Sequence, residues 1–224
     1  MSAFILGYPV RTLENRVLMP GGTELSPEAM EALVRSAAAE PGDVLPLLGY
    51  GSIREDLFGF LGVPPYRTIF PGGVFVEVMK DMEEVSLVAP ALGILDFFRR
   101  NDHYTYRHFL TVFALSTLLA RDLVPDYRDR LVLGSTGPTH DLGKICVPLG
   151  VLKKTTPLTR SERGVLESHT AAGYVLLSYY LRDHQSLASR VAMDHHERRD
   201  GSGYPRGVAG ESIALAARIV ALAR

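Results

Sequence analysis

The sequence predicts a mainly α-helical protein with a small α/β region at its N-terminal side. Three observations lead there. From about Val74 onward apolar residues recur at helical spacing. Before that point Gly and Pro break the chain into short apolar runs. Five of the seven histidines fall on or at the ends of the predicted helices. With 224 residues, 46% hydrophobic and 22% charged, the chain has the composition of a soluble globular protein. A net charge of -1 gives no global positive field, so neither DNA nor RNA is expected as a partner. The single cysteine, Cys146, excludes an internal disulfide and fits a reducing compartment. No apolar run is long enough to span a bilayer. Met1 to Arg11 lacks an early basic region and a cleavage site, so it reads as a first strand and not as a signal peptide. The expected location is the cytoplasm.

Residues 1–75 form the expected α/β accessory or sensory region. Phe4 to Val10 and Arg16 to Met19 have strand character, and Pro20-Gly21-Gly22 is a turn. Ser26-Pro27-Glu28 is a helix start, with Ser as cap, Pro in the first turn and an acid behind it. That helix is expected to run to about Ala39, with Met30, Leu33 and Val34 inward, and to stop at Pro41-Gly42. Ile53 to Leu61 predicts a second helix; Val63-Pro64-Pro65 and Pro71-Gly72-Gly73 read as breaks. Residues 76–100 form a helical connector, in which Val76, Val78, Met79 and Met82 suit one face and Pro90 ends or kinks the helix.

Residues 101–224 form the main helical domain. Asp102 begins a strong helix through about Leu119. Its broad apolar face, including Leu110, Phe113 and Leu118, makes it central. Asp126 to Leu133 is a further helix, interrupted after Gly134. In Thr139 to Cys146, a helical turn puts Asp141 and Lys144 on one face. Thr159-Arg160-Ser161-Glu162 has the form of a capping box, so a helix begins near Arg160 and leads to His169. Gly173 marks a break before the apolar run from Tyr174 to Leu181. Leu187 to Asp194 delivers His195 and His196, and Leu215 to Ala223 is the last helix.

His108, His140, His169, His195 and His196 stand out, with Asp141 directly after one of them. A lone histidine on an apolar helix is ordinarily a core residue with its ring nitrogens satisfied. Five, with a carboxylate among them, point instead to a metal centre, because imidazole and carboxylate suit Fe, Mn, Ni or Zn. The six donors exceed the three protein ligands usual for one catalytic zinc. Two metals bridged by Asp141 use all six. His195 and His196 run into a stiff loop, Glu197 to Pro205, closed by Gly203-Tyr204-Pro205.

Several spaced motifs agree in order: Asp102 to His108, His140-Asp141-Leu142-Gly143-Lys144-Ile145, Leu158-Thr159 before Glu162, and His169-Thr170 before Gly173. They continue with His195 to Pro205, Arg206-Gly207 and Ala217-Arg218-Ile219. In this the chain resembles the HD-GYP family of the HD superfamily of metal-dependent phosphohydrolases, over roughly residues 100–223. The resemblance implies an HD-type helical bundle at the C-terminal side. It implies a phosphodiesterase that hydrolyses the bacterial second messenger cyclic di-GMP, to pGpG or on to GMP. It implies two divalent metal ions, Fe or Mn first and Zn or Ni as alternatives, that activate a bridging water for in-line attack. Asp141 and Lys144 then carry the catalytic roles. Arg198, Asp200, Gly203, Tyr204 and Pro205 form the substrate loop, with Tyr204 against a guanine and Arg198 on phosphate or base.

The sequence departs from the family's pattern at Arg224, where a further metal-ligating aspartate is the family norm. Three readings stay open: a truncated chain, a centre with one ligand fewer, or a degenerate member that binds metal or nucleotide without turnover. The missing C-terminal helices imply exposed apolar surface, which favours instability or an oligomer, and the expected partner is a second copy or a signalling protein. Tyr104 stands where three-metal members carry a glutamate, which favours two metals. An HD phosphohydrolase acting on another nucleotide is the second enzymatic reading.

Overall fold

The computed structural model describes residues 4–37 and 42–224. Ala39 and Pro41, at the expected end of the first helix, lie outside the described residues, as does the start of the strand read from Met1. The fold is mainly α. In the N-terminal part β1 (Val10–Arg11) pairs antiparallel with β2 (Val17–Met19), and Ile5 bridges to Glu24. The strand expected over Phe4 to Val10 thus shrinks to a bridge and a two-residue pairing. Gly7 and Pro9 lie between the two, and Pro9 has no N–H to give to a ladder.

Helix α1 (Pro27–Ser36) starts as expected: Ser26 Oγ accepts from the Ala29 N–H at 3.2 Å, and Pro27 fills the first turn. Met30 and Leu33 are buried, and Val34 is half-buried. A second pairing joins β3 (Val44–Pro46) to a strand some way along the chain. Between them lie α2 (Ile53–Leu61), α3 (Tyr66–Ile69) and α4 (Gly72–Glu83); β4 (Ser86–Val88) then pairs antiparallel with β3. Gly72 and Gly73 do not break the chain. They occupy the first turn of α4 behind Pro71, where the N–H groups have no intrahelical acceptor in any case. Val78, Met79 and Met82 are buried, but Val76 is 66% exposed. Two residues before Val78, it lies on the opposite side of the helix. Pro90 begins a helix and does not end one. It sits in the first turn of α5 (Ala89–Asn101), where its missing N–H leaves no bond unmade.

The long helix α6 (His103–Leu123) is capped by Asp102, whose carboxylate accepts from the Thr105 N–H at 3.4 Å and the Thr105 hydroxyl at 2.7 Å. It is central, as its apolar face predicts, packing against α4, α5 and the next helix, α7 (Tyr127–Gly134). Phe109, Leu110 and Phe113 are fully buried among Leu92, Leu95 and Phe98 of α5. Each such phenylalanine contributes about 1.5–3 kcal/mol by burial. After α7 come a 3₁₀ turn (Leu142–Cys146), α8 (Leu149–Leu152), α9 (Arg160–Glu167), α10 (His169–Leu181), α11 (Leu187–Asp194) and α12 (Leu215–Ala223). The N-terminal segment packs Leu6, Val10, Met19, Met30 and Leu33 against Val175 and Leu176 of α10. Helix α12 closes the other side, with Ala217, Ile219 and Val220 against Val112 of α6 and Val191 of α11. Among the described residues, no helix is long and apolar enough to cross a membrane.

Gly173 does not interrupt α10, which runs unbroken from His169 to Leu181. Its glycine serves a close approach instead. A Cβ on Gly143 would meet the His169 carbonyl oxygen at 1.9 Å and the Gly173 nitrogen at 2.3 Å. The 3₁₀ turn therefore lies backbone to backbone against the start of α10. Gly143→Ala is expected to destabilise the protein by about 1–3 kcal/mol. The thermal midpoint should drop by several degrees, whereas Gly150→Ala, whose Cβ meets no heavy atom within 4 Å among the described residues, should leave it unchanged.

Candidate metal centre

The close approach at Gly143 sets Asp141 beside His169. A 3₁₀ turn has three residues per turn, so positions 141 and 144 eclipse. Accordingly, Lys144 Nζ lies 2.7 Å from Asp141 Oδ2. Helix α6 supplies His108 from its first half. The capping box at Thr159 starts α9: Thr159 Oγ1 accepts from the Glu162 N–H at 3.2 Å, and Glu162 accepts from the Thr159 N–H at 2.7 Å. That helix ends where His169 opens α10. The end of α11 supplies His195, with His196 next.

The buried Asp141 carboxylate sits among these rings. Its Oδ2 lies 3.2 Å from His108 Nε2 and 3.1 Å from His140 Nε2. Its Oδ1 lies 3.0 Å from His169 Nε2 and 3.3 Å from His195 Nε2. The Nε2 atoms of His108 and His140 are 3.2 Å apart, and those of His169 and His195 are 3.3 Å apart. His196 joins the second group, with all its ligand atoms within 4.8 Å of one another.

Three of the rings have a fixed tautomer. His140 Nδ1–H donates to the Gly137 carbonyl at 2.6 Å and His169 Nδ1–H to that of Leu166 at 2.6 Å. His195 Nδ1–H donates to the carbonyls of Val191 and Ala192 at 3.1 and 3.0 Å. Each therefore turns an Nε2 lone pair toward Asp141. Lone pairs facing a carboxylate are acceptors facing acceptors. Asp141 Oδ1 correspondingly lacks a hydrogen-bond partner among the described residues. A buried acceptor left in that state costs free energy unless a cation meets it. The donor set fits a divalent first-row metal, and the carbonyl bonds to Nδ1 are the outer support such ligands need.

The electrostatics agree. Burial would raise the Asp141 carboxyl, but the Lys144 ammonium foremost holds the group well below the usual carboxylate range. Burial lowers His140 and His196, and it pushes His195 down to about 3. These three rings are thus held neutral near pH 7, as metal ligands must be.

Tyr204 stacks on His196, with ring centroids 4.4 Å apart and planes 19° from parallel. Gly203 permits this, because a Cβ there would lie 2.4 Å from the Arg198 nitrogen and 2.5 Å from the His196 oxygen. Pro205 follows as part of the same half-buried segment. Arg198 and Asp200 occupy the exposed tip of the loop, where Asp200 accepts from the Ser202 N–H at 3.0 Å and hydroxyl at 2.6 Å. A cleft of about 330 Å³ opens over the centre, lined by Tyr104, His108, Asp141, Lys144, His196, Ala221 and Arg224.

Two contributions have no signal in the sequence. Glu197 is buried, and its carboxylate accepts from the Arg206 N–H at 2.8 Å and the Val208 N–H at 2.9 Å, fastening the loop behind Tyr204. Arg224 Nη1 lies 2.6 Å from His196 Nδ1 and 3.2 Å from His196 Nε2.

Residues 95–224, more than half of the chain, match the family model described as HD domain. The chain is 42% identical over 106 residues to the cyclic di-GMP phosphodiesterase response regulator RpfG of Xanthomonas campestris pv. campestris, covering 47% of this chain and 28% of that protein. It is 42% identical over 125 residues to a cyclic di-GMP phosphodiesterase of Pseudomonas aeruginosa, covering 55% of this chain and 30% of the other. With the 3'3'-cGAMP-specific phosphodiesterase 1 of Vibrio cholerae it shares 34% identity over 155 residues, 68% of this chain and 35% of that one. The chain thus spans about a third of the length of these relatives.

The low proton affinity of His195 has a direct consequence for stability. In the unfolded chain a histidine takes up a proton near its ordinary value of 6.5, while the folded site resists until about 3. Stability present above pH 6.5 is therefore lost as the pH falls through that window, by up to about 1.4 kcal/mol per unit for each such histidine. In chelator, the urea midpoint should be lower at about pH 5 than at about pH 7.5; equal midpoints would contradict this assignment. Glu197→Ala leaves the part-buried N–H groups of Arg206 and Val208 without their acceptor and should cost about 1 kcal/mol. It should also speed proteolysis within residues 198–208, while metal content is retained.

Proposed function

The chain belongs to the HD domain family, HD-GYP type, and from that premise we propose that it hydrolyses a phosphodiester bond of a cyclic dinucleotide, cyclic di-GMP first. The observation that carries this is the Asp141 carboxylate set between two pairs of inward-facing histidine Nε2 atoms. The two pairs support two divalent ions sharing Asp141, with Fe or Mn first and Zn or Ni as alternatives. Such ions supply Lewis acidity and an activated water for in-line attack on phosphorus.

The chain's own residues do the rest. Hydrolysis adds one water across a P–O bond and opens the ring to a linear dinucleotide. Asp141 stays ionised throughout, as the Lys144 ammonium holds it. Lys144 lines the cleft and offsets negative charge that builds on the phosphoryl oxygens. Tyr204, half-buried on His196, offers a ring for a guanine. Arg198, on the loop tip with Asp200, reaches a phosphate or base as the substrate enters. Residues 1–75 serve as an accessory or sensory region joined through 76–100 to the hydrolase bundle. A cytoplasmic signalling role, in a homodimer or with a protein partner, suits that arrangement. The cGAMP-specific relative makes 3'3'-cGAMP the second substrate to test. One observation favours a binding protein without turnover: the Arg224 guanidinium in the cleft.

Protein loaded with Mn²⁺ or, anaerobically, with Fe²⁺ should convert cyclic di-GMP to pGpG or GMP, read by chromatography. His140→Ala and Asp141→Ala should lower the rate at least about 100-fold. Nucleotide binding with no product would replace the enzyme reading with the binding one.

A further inference from the structure

We propose that Arg224 takes His196 out of the metal-ligand set, leaving two three-donor groups that share Asp141: His108 with His140, and His169 with His195. The inference rests on the metal-centre reading above and narrows it. It starts from the hydrogen inventory of one ring. A neutral imidazole has one N–H and one nitrogen lone pair, and a metal ion needs that lone pair. A guanidinium only donates. Arg224 Nη1 lies within 2.6 Å of His196 Nδ1 and 3.2 Å of Nε2. The shorter contact sets the tautomer: Nδ1 accepts from Arg224, the ring proton is then on Nε2, and neither nitrogen keeps a lone pair for a metal ion.

The other rings are held differently. His140, His169 and His195 spend their Nδ1–H on backbone carbonyls, which frees Nε2 for the centre. His196 instead has its nitrogens at Arg224 and one face against Tyr204. Charge adds to the argument. A guanidinium is always protonated, so a fixed positive charge stands beside the one ligand position it touches and opposes a second cation there. Each remaining group has two histidines and a share of Asp141, which leaves coordination positions open for water and substrate, as catalytic sites require.

The test is a Mn²⁺ titration of the full chain by calorimetry, with and without Arg224. His196→Ala should leave Mn²⁺ affinity within about twofold, because the ring is not a ligand. Arg224→Ala should tighten binding about tenfold by releasing it. In the Arg224→Ala background, His196→Ala should then remove that gain. His140→Ala reports on the centre itself and should weaken binding in every background. A tenfold loss on His196→Ala with Arg224 present, alongside the His140→Ala loss, would overturn this inference and leave the metal centre standing. No tightening in Arg224→Ala would overturn it too. No Mn²⁺ binding by any variant would remove the metal centre and this inference together. In metal-free protein, the side-chain ¹⁵N resonances of His196 should shift in Arg224→Ala; unchanged resonances would show that the contact does not exist in solution.

Discussion

One buried carboxylate, Asp141, is the constraint on which this structure depends. An isolated anion in the interior would cost several kcal/mol. Here it is 1% exposed and stays ionised because Lys144 sits 2.7 Å from one oxygen. That single ammonium serves Oδ2 only. Oδ1 faces the lone pairs of His169 and His195, an arrangement that calls for a cation. To bring four imidazoles within 3.3 Å of one side chain, α6, the 3₁₀ turn, α10 and α11 must meet at one point. The Gly143–Gly173 contact is the steric condition for that meeting, since no side chain fits between the two backbones.

The rings are oriented by a device local to each. For three of them the Nδ1 partner is a carbonyl three residues earlier: Gly137 for His140, Leu166 for His169 and Ala192 for His195. The Ala192 carbonyl lies in the final turn of α11, where helix geometry leaves C=O groups without an intrahelical donor. A histidine placed just past a helix end thus meets two needs with one bond. It satisfies an orphan carbonyl and points its other nitrogen away from the helix, toward Asp141. The helix ends fix the chemistry as much as the helices do.

This explains which features could be read in the sequence. The ends of α2, α11 and α12 follow from apolar spacing and turn residues, and the cap at Ser26 and the capping box at Thr159 are local hydrogen bonds. The six candidate donors were legible as residue types on or at the ends of helices, and so was the Asp141–Lys144 pair. What escaped depends on partners distant in the chain. Strand β3 contains a proline and is a strand only because β4 pairs with it. Gly72 and Pro90 carry the signals of chain breaks, yet both are tolerated in the first turn of a helix. Gly173 reads as a helix break until Gly143 is seen against it. Nothing in the run His195 to Pro205 distinguishes Glu197, which is buried, from Arg198 and Asp200, which are exposed. Arg224 reads only as a missing ligand; that it covers His196 is a tertiary fact.

His196 also joins two parts of the site that could otherwise vary independently. Its ring is the surface on which Tyr204 stacks, and Tyr204 belongs to the loop fastened by Glu197. If a metal ion held His196, the position of the Tyr204 ring would change with metal occupancy, and nucleotide recognition would depend on a loaded centre. With Arg224 holding it, the platform is set by hydrogen bonding and stacking alone. Recognition by Tyr204 and chemistry at Asp141 are then separable. On the proposed function, guanine binding would then not require a loaded centre, and metal binding would not require an ordered loop. A cation at position 224 thus moves His196, on the proposed function, from the metal centre to the nucleotide-recognition surface.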